Sequence, residues 1–398
     1  MLKQAIPSID LLAEAQLDEM IQYHQPIADD YHAPRAVFLT GATGFLGAYL
    51  LYSLLQFTRA EVYCLVRCAD SATGMKRVET HLQTHGLLSS TELQRVHIVQ
   101  GDLAQPFLGL SATDYQQLAR EISVIYHNGA QVNALRPYDA LKATNVSGTQ
   151  TILHLASLYH TKPVHFISTV AVFFSPAHRG KIAETLLPDG RQLQGGYRQT
   201  KWVAEELVRI AQARGLPACI YRPGRITGHS QTGAHSNLND LFCLILKACI
   251  QLGYYPDVIT HLNLTPIDYV SLAVVQLSQQ PEAIGKTFHL LNPQNVTWLK
   301  LMALVKQQGY SLTALSYADW SQAVTQQAIA TPKEEVFTLL RFLLRTAAFF
   351  TDTPIFKVDQ TIEQLSATSL TCPVIDEERM AIYLSYFQKI GFICACKP

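Results

Sequence analysis

The sequence has little charge and no excess of either sign. Of its 398 residues 16% are charged, with 31 basic against 31 acidic side chains, so the formal net charge is zero. That balance excludes a general polyanion binder, and no nucleic-acid partner is expected. Long apolar runs are missing too: no stretch reaches the roughly 20 residues of a membrane span. The two most apolar stretches, Leu241–Leu252 and 337–350, carry Lys247, and Arg341 with Arg345. They read as amphipathic helices of a core or a pocket. At the N-terminus Asp10, Glu14, Asp18 and Glu19 interrupt the apolar positions, which excludes a signal peptide there. Paired CxxC motifs are absent among the 8 cysteines, so no zinc or other metal is expected. Cys394 and Cys396 read as an incidental tail pair. Cys64 and Cys219 lie in apolar strand patterns, where free thiols fit a reducing compartment, and a cytoplasmic location follows. There is no internal repeat and no low-complexity segment.

What is present is a composition with 48% hydrophobic residues, that of a compact protein. Apolar strand patterns at Ala36–Thr40, 61–67, 96–101, Val124–His127, 164–170 and 218–222 alternate with helical patterns at Phe45–Phe57, 73–84, 111–121, 138–159 and 198–214. A further strand fits 287–291. This alternation predicts an α/β fold: a Rossmann-like, doubly wound parallel sheet joined by right-handed crossovers. Helical periodicity over 8–23, broken by Pro26 and by 29–34, makes 1–34 a lead-in helix and linker. Residues 35–225 form the dinucleotide-binding domain, with 258–297 returning to it. Residues 226–257 and 298–398 form a smaller, mostly helical substrate domain.

The chain is organised around 37–51, VFLTGATGFLGAYLL. An apolar strand runs into a glycine turn and then a helix. Gly41 permits the tight turn, Gly44 lets backbone approach a pyrophosphate, and Gly47 lets helix and strand pack closely. The phosphates sit on the helix N-terminus. The spacing is GxxGxxG rather than GxGxxG.

Arg67 ends the second strand where an NAD-specific site places an acid, and a guanidinium there suits a ribose 2′-phosphate. Lys76 and Arg77 add to that positive charge; the alternative is a surface arginine at a strand end. Asp102, in Gly101-Asp102-Leu103, either accepts from an adenine amino group or caps a helix. After His127-Asn128, small Gly129 and Ala130 let a cofactor lie against backbone. The sharpest chemical signal is Tyr197-Arg198-Gln199-Thr200-Lys201. Tyr197 and Lys201 share a helix face, and a nearby ammonium is expected to lower the phenol's pKa. Thr169, at the end of a strand, can address the same carbonyl oxygen.

On these residues the chain resembles the extended short-chain dehydrogenase/reductases. Within them it resembles the thioester reductase domains that end some nonribosomal peptide synthetases, polyketide synthases and carboxylic acid reductases. The matching stretches are 37–51, 62–67 (VYCLVR), 101–103, 125–133 (IYHNGAQVN), 145–149 (NVSGT), 166–172 (FISTVAV), 197–201, 221–224 (YRPG), 262–270 (LNLTPIDYV) and the tail 372–392. The resemblance implies a catalytic Thr169, Tyr197 and Lys201. It implies NADPH held by Thr40, Gly41, Thr43, Gly44, Phe45, Leu46 and Gly47 of the turn, by Arg67 and Arg77, by Asp102 and Leu103, and by Asn128, Gly129 and Ala130. Asn145, Ser168, Pro223 and Gly224 complete that set, with Tyr197 and Lys201 themselves. Asp240 matches an aspartate thought to influence whether reduction stops at the aldehyde; an ordinary helix N-cap is the other reading. Two features depart from the family: no adenylation or carrier sequence is present, so the chain is a stand-alone relative or an excised domain, and Phe173-Phe174 replaces a common Tyr-Gly pair.

The activity implied is NADPH-dependent reduction of an acyl or peptidyl thioester to an aldehyde, and onward to the alcohol by a second hydride. The partner implied is a carrier protein bearing phosphopantetheine, or an acyl-CoA, and the chain is expected to be a monomer or weak oligomer. Two rival readings are an NADP-dependent dehydrogenase or epimerase acting on a sugar nucleotide or sterol-like substrate, and a nonenzymatic NADP-binding regulator.

Overall fold

The computed structural model describes residues 9–28, 30–87, 92–332, 335–346 and 354–395. Its centre is a seven-stranded sheet of β1 (Ala36–Thr40), β2 (Glu61–Val66), β3 (Val96–Gln100), β4 (Val124–His127), β5 (Val164–Ile167), β6 (Ala218–Pro223) and β7 (Thr287–Leu290). The order is β3-β2-β1-β4-β5-β6-β7, and every pairing is parallel. β1, β4, β5 and β6 are buried along their whole length, as helices on both faces require. Strand order reverses between β1 and β4, the point where ligands bind such sheets. The helices α1 (Phe45–Phe57), α2 (Ser71–Thr84), α3 (Ala112–Glu121), α4 (Gly148–Ser157) and α5 (Gly196–Ala213) fill the crossovers.

Three stretches depart from the sequence reading. The 8–23 periodicity yields only the helix Leu11–Glu14. Arg214 explains why: its guanidinium takes the carbonyls of Asp18, Ile21 and Leu17 at 2.6, 3.0 and 3.0 Å, groups a continuing helix would use itself. The 138–159 helix runs unbroken over 138–157 but widens to one π turn at Ala143–Ser147 between Tyr138–Lys142 and α4. The strand expected over 164–170 stops at Ile167, because the Thr169 hydroxyl accepts the Ala171 N–H (3.2 Å) and caps a 3-10 turn at Val170–Phe173. Residue 8, residues 347–350 of the apolar 337–350 stretch, and Cys396 lie outside the described residues.

The described residues form two compact units. The first holds 9–224, Ser271–Leu290 and Pro354–Leu370; the second holds Arg225–Val270, 291–346 and 371–395. Residues 354–370, in the span the sequence reading gave to the helical domain, lie in the first unit. There Ile355–Phe356 pairs in parallel with Lys181–Ile182. The buried Glu184 carboxylate accepts the Gln360 N–H at 2.7 Å and the Thr361 N–H at 3.1 Å, opening the helix Asp359–Leu365. Residues 258–270 and 291–297 lie in the second unit. Its core gathers α6 (Leu241–Leu252) with the buried Trp298, Trp320, Met380 and Phe387.

Candidate active site

The turn after β1 is built for close approach. Gly41 has φ +75, and a Cβ there would stand 2.8 Å from the Gly129 Cα. A Cβ on Gly47 would lie 1.8 Å from the Gly41 carbonyl oxygen, and one on Gly129 would lie 2.5 Å from Leu103 Cδ1 and 2.9 Å from Thr40 Oγ1. These contacts bring the ends of β1 and β4 together at the order reversal. α1 opens on Gly44 with no side-chain cap, so its first turn is presented to a ligand. A dinucleotide pyrophosphate fits this cradle: side chains are excluded and backbone N–H donors remain.

Behind the cradle runs a buried polar chain. Thr149 donates to the Asn145 carbonyl at 2.8 Å, which leaves its oxygen to accept from His127 Nε2 at 3.0 Å. His127 Nδ1 then accepts from Thr40 at 2.8 Å, and the Thr40 oxygen accepts the Gly129 N–H at 2.8 Å. Burial, with Lys201 nearby, pushes His127 down to about 3, so it is a neutral strut and no proton donor at pH 7. Asn145, in the π turn, donates to the Gln131 carbonyl (3.1 Å) and to Thr200 (3.0 Å), tying the cradle to α5. Asn145 thereby acts through its neighbours, with its side chain already engaged.

The other expected cofactor residues fall along the same sheet edge. Arg67 is exposed just beyond β2, and Arg77, on α2, donates to its carbonyl. Asp102 accepts the Ala104 N–H at 2.9 Å, so its carboxylate shapes the turn after β3. Asn128 leans on the Gly41 carbonyl at 3.4 Å. Pro223 ends β6, and Gly224 follows it.

The face of α5 toward β5 carries the residues expected to be catalytic. The Tyr197 hydroxyl lies beside that of Thr169, close enough for Thr169 to favour the phenolate. One turn on, Lys201 Nζ donates to the Ile167 carbonyl at 2.7 Å and lies 4.2 Å from the Phe166 ring centroid. One turn further, Glu205 accepts from Ser168 at 2.5 Å. The sequence reading expects a lowered Tyr197 pKa; burial instead pushes it up to about 12, against the smaller effect of Thr169. Lys201 is itself brought down to about 7 by burial, with Glu205 opposing, which blunts its pull on the phenol. Tyr197 therefore stays protonated at neutral pH, the state a proton donor needs. Ser168, expected to touch cofactor, commits its hydroxyl to Glu205.

Glu205 and its partners escaped the sequence reading. Burial alone would raise this carboxyl, yet the guanidiniums of Arg222 (2.7 Å) and Arg209 (2.6 Å) bring it down to about 2. Its signal was the continued spacing of four from Tyr197 through Lys201. Arg222 also lies 4.8 Å from the buried Phe173 ring, and Arg198 lies 5.4 Å from that of Phe174.

In the second unit Asp240 caps α6, accepting the Cys243 N–H at 2.9 Å. Its other oxygen is 3.5 Å from His235 Nε2, which is 3.8 Å from Cys243 Sγ. These three have ligand-like spacing. However, His235 Nδ1 accepts the Asn237 N–H at 3.1 Å, which places the ring proton on Nε2, the atom a metal would need bare. The cation of Arg225 also faces Asp240 and Cys243.

Residues 39–274 match the male sterility protein family. The chain is 39% identical over 98% of its length to a linear gramicidin synthase protein of Brevibacillus parabrevis, of which it covers 8%. It is 38% identical over 81% of its length to glycine betaine reductase of Emericella nidulans, of which it covers 26%. It thus spans a minor part of these curated relatives. Among solved structures, the terminal R domain from the myxalamid PKS-NRPS biosynthetic pathway superposes with a TM-score of 0.93 at 42% identity, covering 97% of this chain and 99% of that one. Among the described residues no helix is long and apolar enough to cross a membrane.

Proposed function

The chain belongs to the male sterility protein family, among the terminal reductase domains of peptide and polyketide synthases, and from that premise we propose that it releases acyl or peptidyl thioesters by NADPH-dependent reduction. The observation that carries the reading is the placement of Tyr197 beside Thr169, one helical turn from Lys201, on the sheet edge that holds the glycine cradle. NADPH, when bound, supplies hydride to the thioester carbonyl carbon. The cradle Gly41–Gly44–Gly47 and the α1 terminus would hold its pyrophosphate, and Arg67 with Arg77 would hold its 2′-phosphate.

As the thioester carbonyl becomes tetrahedral, negative charge gathers on its oxygen. The Tyr197 and Thr169 hydroxyls are donors for that oxygen, and Tyr197, protonated at rest, gives up the proton. Lys201 offsets the charge left on the phenolate. The hemithioacetal then loses its thiol and becomes the aldehyde. A second hydride, from a second NADPH, with a proton from Tyr197, would take the aldehyde to the alcohol. A thioester of this kind arrives on a carrier protein's phosphopantetheine or on CoA, which share the same thiol arm. The guanidinium at the β2 end disfavours the tightly held NAD of an epimerase, and an intact Tyr197–Lys201 pair disfavours a nonenzymatic regulator.

The test is direct. Purified protein, NADPH and an acyl-CoA or acyl-pantetheine are mixed, NADPH absorbance is followed and products are identified by mass spectrometry. Thioester-dependent oxidation with aldehyde or alcohol is expected. No oxidation with either thioester or with a carrier-loaded one, while NADPH binds, would overturn the reading.

A further inference from the structure

Three consecutive residues at the end of β5 are held by three successive turns of α5. Tyr197 stands beside Thr169, Lys201 holds the Ile167 carbonyl, and Glu205 holds Ser168 between them. Only the first two of these helix residues have a role in the reaction derived above. Glu205 is fully buried, as is Arg222, whose Nη2 donates to it at 2.7 Å. A buried carboxylate is a costly way to hold one serine hydroxyl.

The charges around it explain its presence. Lys201, Arg209 and Arg222 bring three cations to this part of the unit, and Glu205 is the anion in contact with both guanidiniums. Glu206 stands 3.8 Å from Arg209. Toward Lys201, β4 presents His127, which is neutral at pH 7, and β5 presents the Phe166 ring and the Ile167 carbonyl. Its own helix presents Tyr197 and Glu205.

We propose that Glu205 is a positioning residue for the reduction: clamped by Arg222 and Arg209, it fixes Ser168 so that the next residue, Thr169, meets Tyr197, and it supplies the counter-charge one helical turn beyond Lys201. The proposal rests on the assignment of Thr169, Tyr197 and Lys201 to thioester reduction.

Two variants separate the two parts. Glu205→Gln keeps an acceptor for Ser168 and removes the charge. Its lysine Cε signals are followed by 13C NMR against pH, with Lys201 identified by its loss in Lys201→Arg. The Lys201 midpoint is expected to fall by about one pH unit, and the basic limb of kcat/KM to move with it. An unmoved midpoint in the folded variant, or a rate loss equal at every pH, overturns the proposal. Ser168→Ala keeps the carboxylate and both guanidiniums and decides the matter if Glu205→Gln fails to fold. Its kcat is expected to fall about 10–100-fold with the KM for NADPH little changed and the pH midpoint unmoved. Wild-type kcat in Ser168→Ala overturns the anchoring role. The lysine titration needs no substrate, so a wild-type protein inert toward thioesters would count against the function while the titration still tests the charge coupling.

Discussion

Lys201 donates to the carbonyl oxygen of Ile167 at 2.7 Å, with no carboxylate in contact with its ammonium among the described residues. The bond pins α5 to the end of β5. It also leaves the ammonium buried on an uncharged acceptor, and burial brings it to about 7.

A pH dependence follows. If the ammonium offsets charge on Tyr197, kcat/KM is high below about 7 and falls as pH rises through that value. Initial rates at fixed NADPH across about pH 5.5–9 locate the limb. A flat profile would remove Lys201's charge from the reaction. The linked stability has the opposite slope: a lysine held below its ordinary 10.5 costs the folded state most when protonated, so this contribution worsens as pH falls from there toward 7.

Tyr197→Phe removes the proposed proton donor and leaves the cradle intact. Turnover is expected to drop about 100–10,000-fold, with NADPH affinity little altered by fluorescence titration. Thr169→Ala should lose about 100-fold, because one donor to the developing oxyanion remains.

Arg67→Ala should weaken NADPH about tenfold or more and NADH much less. Dissociation constants for the two cofactors, measured side by side, check it. Equal losses would move the 2′-phosphate away from Arg67.

Gly47→Ala places a methyl carbon 1.8 Å from the Gly41 carbonyl oxygen, a contact that only backbone movement relieves. NADPH binding should be lost and Tm lowered. Retained binding would mean the turn is not the pyrophosphate site.

Acid should reach the Glu205 cluster last. Its folded carboxyl lies at about 2 against an ordinary 4.5, so its stabilisation is complete above 4.5 and is lost as pH falls toward 2. Glu205→Gln should cost about 3–5 kcal/mol at pH 7, with the Tm gap from wild type closing across that acid window. A gap that persists unchanged in acid would contradict the ion-pair account.

The sequence by itself determined the sheet, its parallel pairing and the place of the cradle, because those follow from local signals. Apolar runs of strand length, glycines at 41, 44 and 47, and the spacing of Tyr197 to Lys201 are each readable within a few residues. Tertiary structure decided what depends on distant partners. Arg214 takes the carbonyls that would have extended the helix Leu11–Glu14, and Glu184 draws 354–370 into the first unit. The ionisation of Tyr197 also went the other way, since a neighbouring cation can be read from spacing but burial cannot. For the same reason nothing in the sequence beyond its spacing marks out Glu205: its meaning lies in Ser168, Arg209 and Arg222, which only packing brings to it.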